Sequence, residues 1–152
     1  AISFDYSLSK WDVSKVTHMN DMLSSAKSFG CNLSKWNVSR VTDMSSMFMS
    51  NSTFNQEIAN WDTSSVNDMS YMFLRATDFD QDLSGLEIQN VSSMYMMLDN
   101  SGLSTVNYDS TLIGWYQQAL TDGVQTGVNL GAEGLIYSAN AVAARNALIN
   151  DL

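Results

Sequence analysis

Apolar and polar positions recur along the first two-thirds of the chain with a fixed period of 25 residues and no insertion. Phe4, Phe29, Phe54 and Phe79 open successive units, and Trp11, Trp36, Trp61 and Leu86 follow at one common offset. Val16, Val41, Val66 and Val91 come next, then Met19, Met44, Met69 and Met94, then Met22, Met47, Met72 and Met97. Ser, Thr, Asp and Asn fill most of the positions between them. A fixed period of about 20–50 residues is the signature of a solenoid, in which each unit buries its apolar side only against its neighbours.

Two shorter periods are combined within a unit. Leu33, Trp36 and Val38 have the i, i+3, i+5 spacing of a leucine-rich-repeat strand, with Trp36 and Val38 on one face, which predicts a short strand near 34–38. Met44, Met47 and Phe48 recur at i, i+3, i+4, which predicts a short helix or helical turn near 42–50, with Ser39 and Thr42 as candidate caps. The expected fold is an α/β repeat solenoid over 1–102. It is a leucine-rich-repeat-like right-handed coil of four 25-residue units, with a short parallel sheet on one side and strands stacked about 4.8 Å apart. Eight of the ten methionines fall in the two repeat columns. That spacing reads as core filling by unbranched thioethers rather than a metal or ligand stripe.

The fourth unit is degenerate, with Leu86 for Trp, Leu98 for Phe, and Gly85 and Gly102, as the end of an array should be. From Leu103 the period stops. Tyr108, Leu112, Trp115 and Ala119 share one face of a helix predicted over 107–120, with Thr105 as a candidate cap. Residues 121–137 hold four of the eight glycines and read as turns with short extended pieces. Ser138 then caps a small-residue helix over 139–149. Residues 103–152 are thus expected to be a mainly helical capping segment that covers the last unit.

A length of 152 residues and 45% apolar content suit one domain with a continuous core. No apolar run approaches a membrane-spanning length, and the start Ala1-Ile2-Ser3-Phe4 does not read as a signal peptide. Ala1-x-Ser3-Phe4 repeats Ala26-x-Ser28-Phe29, so the chain reads as a piece cut from a longer array. The net charge of −9 is uneven: residues 1–50 carry net +1, 51–102 net −7 and 103–152 net −3. That field disfavours nucleic acid and anionic lipid and suits solubility in a salty or extracellular medium. The single Cys31 excludes an internal disulfide and sits in a slot that varies among Tyr6, Gln56 and Gln81. The lack of proline fits an array that needs its backbone donors for stacking.

Catalytic chemistry finds little support. His18, the one histidine, occupies a polar column with Asp43, Asp68 and Ser93, and a dyad with Cys31 would need two variable positions to converge. Gly127, Gly131 and Gly134 lack a phosphate-loop or dinucleotide wording. Asp78, Asp80 and Asp82 alternate, but Leu83 and Gln89 stand where an EF-hand needs Gly and a bidentate acid, so only a looser calcium site stays open. No catalytic residue, metal site or cofactor is expected. The outward column Asp12, Asn37, Asp62 and Glu87 should form a ladder on the sheet face, flanked by Lys10, Lys35, Asn60 and Gly85. Acids this close repel, and water, cations or a basic ligand could relieve them. A ligand of the array is therefore expected on Lys10, Asp12, Lys35, Asn37, Asn60, Asp62 and Glu87. Asn32, Asn37, Asn51 and Asn90 stand in N-glycosylation sequons that fall out of the repeat wording.

The run from Trp36 to Phe48, Trp-Asn-Val-Ser-Arg-Val-Thr-Asp-Met-Ser-Ser-Met-Phe, resembles the BspA-type leucine-rich repeat of bacterial surface proteins, also known as the Mycoplasma lipoprotein-associated repeat. Phe54-Asn55-Gln56-Glu57-Ile58 before Trp61 matches its connecting stretch. Leu103 to Tyr108, Leu112 to Trp115, Tyr137-Ser138 and Ala143-Ala144-Arg145 are similar to a segment that often closes such arrays. Departures are Thr63 for Val, the weakened fourth unit and the lack of a closing aromatic strand. The resemblance implies a non-catalytic, protein- or glycan-binding domain of a secreted or cell-surface bacterial adhesin. Its partner would be a protein or glycan on another cell or on extracellular matrix, without nucleic-acid binding or membrane insertion. A structural spacer in a large surface protein is the alternative.

Overall fold

The computed structural model describes residues 8–26 and 29–150, so Phe4 and Tyr6 lie outside the described residues. It contains two α-helices, α1 (Thr105–Thr121) and α2 (Val142–Asn150), and 3-10 turns at Leu8–Lys10 and Ala139–Ala141. No strand occurs among the described residues, and none of the repeats contains an α-helix. The expected α/β solenoid, with a parallel sheet and a helix per unit, is therefore incorrect. The units are coils of consecutive turns that meet at isolated parallel bridges, His18 with Asp43, Asp43 with Asp68, and Asp68 with Ser93.

The segment expected as a strand is folded by its own polar side chains. Asn32 Oδ1 accepts the Ser34 N–H at 2.8 Å and Asn37 Oδ1 accepts the Ser39 N–H at 3.2 Å. The Trp36 N–H donates to the Leu33 carbonyl and the Val41 N–H to the Val38 carbonyl. Donors spent this locally cannot build a ladder, and side chains that bond their own backbone two residues on favour turns.

The segment expected as a helix fails for a different reason. Ser46 and Ser50 have φ of 56° and 55°, in the left-handed region, and so do their counterparts Asp21, Ser25, Tyr71, Arg75, Met96 and Asn100. Two left-handed residues four apart interrupt any right-handed helix. The amides alternate instead. Those of Met47, Met49 and Asn51 close turns onto carbonyls three residues back, whereas those of Ser46, Phe48 and Ser50 donate to Ser70, Met72 and Leu74 in the next coil at 2.7–2.9 Å. The first and third coils repeat this wording, and in every case the inter-coil amide of this segment points to the later coil.

Burial follows the 25-residue columns. Met44, Met47 and Phe48 are fully buried, as are Met69, Met72 and Phe73. Rings stack along the array: Phe29 with Phe54 and Phe54 with Phe79 at 6.4 and 6.0 Å, Phe48 with Phe73 at 5.5 Å. Trp36 stacks on Trp61 at 6.5 Å, and each indole N–H reaches back to the previous coil, to the Leu8 and Leu33 carbonyls. The inward reading of this column holds for Trp36, which is 4% exposed, but not for Trp11, which is 53% exposed. Among the described residues no coil precedes Trp11 to receive its indole. Met22 is exposed likewise.

The far end of the stack is covered by two separate pieces. On one side α1 lies across the fourth coil with Tyr108, Leu112 and Trp115 inward. Trp115 Nε1 donates to the Leu83 carbonyl at 3.1 Å, the same bond that Trp61 makes to Leu33. Thr111 Oγ1 accepts the Leu83 N–H, and the Gln118 amide bonds the Ser84 and Leu86 carbonyls while accepting the Ile88 N–H. Gly114 makes this contact fit: a Cβ there would stand 2.3 Å from the Ser84 Cβ. On the other side, residues 130–133 take up the turn ladder. The Leu98 and Asn100 amides donate to the Gly131 and Glu133 carbonyls, as Phe73 and Arg75 do to Met97 and Asp99. Gly131 is required at this approach, since its Cβ would fall 2.3 Å from the Met96 Cα.

The N-cap of α1 is Ser104 rather than Thr105, its hydroxyl accepting from the Asn107 N–H. Ser138 caps the turn that leads into α2, as expected. Its N–H and hydroxyl both donate to the buried Asp109 carboxylate of α1, which ties the two helices together. No described helix is long and apolar enough to cross a membrane.

Candidate binding surface

The outward positions singled out from the repeat are placed as follows. Lys10, Lys35, Asn60, Asp12, Asn37 and Asp62 are exposed and Glu87 is half-buried. Asp12, Asn37 and Asp62 do not form an open ladder of ligand groups. Each uses its Oδ1 to accept from the backbone N–H and the hydroxyl of the serine two residues on, with hydroxyl distances of 2.6, 2.7 and 2.6 Å. The Ser14 hydroxyl and N–H hold the Asp12 carboxyl below its ordinary pKa. Glu87 reaches back instead, its Oε2 accepting the Thr63 N–H at 2.8 Å. Asn60 donates to the Ser34 carbonyl. These groups shape the coils, and one carboxylate oxygen of each acid remains for an outside partner.

The other candidate groups have similar local employment. Asp43 and Asp68 close turns onto Ser45 and Ser70. Asp82 accepts the Ser84 N–H, while Asp80 accepts the Ser104 N–H and the Asn107 amide, both at 2.8 Å, at the start of α1. Burial pushes the Asp80 carboxyl up, but these bonds outweigh it and leave the group below its ordinary value of 3.8. Among the described residues no group of three or more His, Cys, Asp or Glu could hold a metal ion. His18 is exposed beside the Thr17 hydroxyl, and Cys31 is half-buried. Asn51 is fully buried, with its amide on the Leu23 carbonyl and its Oδ1 accepting the Phe54 N–H, so this sequon is closed to modification.

One surface feature stands apart from the outward columns of the repeat. Columns that carry Asn20, Ser45 and Ser70, and Asp21 and Ser46, change to Tyr95 and Tyr71 in the later coils. The two rings meet edge to face at 5.4 Å, and Tyr95 is 51% exposed. Tyr95, Met96, Asp99, Asn129 and Glu133 border a shallow depression at the same place. Tyr71 has φ of 59°, a conformation that costs a bulky residue more than it costs Gly or Asn. The departure from small polar residues is legible in the sequence, but it lies outside the outward column of Asp12, Asn37, Asp62 and Glu87.

The family described as "Mycoplasma protein of unknown function, DUF285" matches residues 1–111, and the chain belongs to it. No curated protein and no solved structure matches the chain.

Proposed function

We propose that this member of the Mycoplasma DUF285 family is a non-catalytic binding module of a secreted or cell-surface bacterial protein, directed at a protein or glycan on another cell or on extracellular matrix. The observation that carries the reading is the Tyr71–Tyr95 pair, a half-buried and an exposed ring in edge-to-face contact, in columns that hold Asn20, Ser45 and Ser70, and Asp21 and Ser46, in other coils. Tyrosines supply large contact area at low entropic cost and are enriched in recognition surfaces. Asn129 and Glu133 beside Tyr95 add acceptors for sugar hydroxyls or for peptide and lysine donors. The exposed Lys10, Lys35, Asn37, Asn60 and Asp62 offer a second set of contact groups on the coils. The finer affiliation, to the BspA-type repeat of bacterial surface proteins, rests on the wording from Trp36 to Phe48.

A spacer is the second reading, favoured by the commitment of Asp12, Asn37 and Asp62 to closing their own turns. Cell attachment by the whole parent protein separates the two. Tyr71→Ala with Tyr95→Ala should reduce attachment at least tenfold, and Asp62→Lys with Asn37→Trp should alter it less. If both double variants fold and attach like the wild type, the chain is a spacer.

A further inference from the structure

We propose that the cleft between α1, segment 127–137 and α2 is a binding site for a small apolar carboxylate. The cleft measures about 550 Å³, within the range of small-molecule sites. Leu112, Val128, Leu135 and Leu148 form apolar walls, and Tyr108, Tyr137 and Arg145 supply the polar side. A smaller apolar space shares Val128, Leu130 and Leu148 with it and runs on toward Met94 and Trp115 at the last coil. The site thus has one charged side and one apolar end, the shape of an amphiphile.

Arg145 decides the sign of the ligand. It is the single Lys or Arg after Arg75 in a chain of net charge −9, and it lines the cleft. Its guanidinium carbon stands 4.8 Å over the Tyr137 ring, the contact the structure gives it among the described residues. That contact orients the planar fork, which matches a carboxylate by two parallel hydrogen bonds. Burial raises the Tyr108 phenol above its ordinary range, against the pull of Arg145, so its hydroxyl is a neutral donor at neutral pH. The acidity of the rest of the chain opposes an anion: Asp109, next to Tyr108, has its carboxylate bonded by the Ser138 N–H and hydroxyl, and charges beyond a Debye length of about 8 Å at physiological salt are screened.

Octanoate and 1-octanol, titrated into the full chain at physiological salt, test the proposal. Calorimetry should give one octanoate site, with two-dimensional NMR shifts centred on Leu112, Val128 and Leu148. Arg145→Met should weaken octanoate about tenfold or more and leave octanol unchanged. Leu135→Trp, which fills the cleft and keeps the guanidinium, should abolish both, and it is read in place of Arg145→Met if that variant loses its circular dichroism. Absence of octanoate binding, equal affinity in the variant read, or shifts centred outside the cleft would each overturn the assignment.

Discussion

Single residues in this protein do their work by setting backbone direction. The buried Asn51 joins two coils through its amide and caps the Phe54 amide with its oxygen. Asn51→Ala should cost about 1–3 kcal/mol in denaturant unfolding, because buried partners lose their bonds. Trp36→Ala should cost about 3–5 kcal/mol, whereas Trp11→Ala should stay within about 1, though the repeat makes the two positions equivalent. Tyr71→Gly should change stability by less than about 1 kcal/mol, since relief of the left-handed backbone offsets the lost contact. The same variant should weaken attachment if the tyrosine pair binds. Which side chains point inward was legible from the columns. The sign of φ at Ser46 and Ser50 was not, because Asp, Ser, Tyr and Met share one of these columns and none announces a left-handed turn.

At the scale of elements, α1 substitutes for a coil. Trp115 repeats the indole bond of Trp36 and Trp61, and Gln118 bonds three backbone groups that a following coil would otherwise meet. Gln118→Ala should cost about 1–3 kcal/mol, measured by thermal unfolding at fixed pH. Gly114→Ala should dislodge α1, seen as a changed Trp115 emission, because the added methyl meets the Ser84 side chain. Acid should act at the same junction. The Asp80 carboxyl is held below 3.8 in the folded chain, so its contribution is present above that value and is lost as pH falls through the folded pKa. Asp80→Asn should flatten this acid limb. The helix period over 107–120 revealed α1 and its inward face from sequence alone. Its imitation of a coil was hidden, since it depends on where the Leu83 and Leu86 carbonyls stand. The failed strand is instructive in the same way. Alternation in Leu33, Trp36 and Val38 reports burial, but Asn32 and Asn37 had already claimed the amides that a sheet requires.

Over the whole molecule, coils depend on one another for half the amides of each turn run, so they should not open singly. Native-state hydrogen exchange of the Phe48 and Phe73 amides should report one common opening, and rates differing by more than about a hundredfold would show coils unfolding separately. The direction of those inter-coil bonds has an electrical consequence. In each of the first three coils four amides, such as those of Met19, Asp21, Leu23 and Ser25, point to the later coil, whereas Thr42 and Asn67 each point back. Peptide dipoles of about 3.5 D each then add along the stack rather than cancel, as they do in a helix but with the opposite sense relative to chain direction. The early end of the turn column is its carbonyl, negative pole and the late end its amide, positive pole. The sequence carries net +1 over residues 1–50, whose described coils stand at the negative pole, and net −7 over residues 51–102. The lopsided distribution of charge along the sequence thus has the sign that a polarised stack favours.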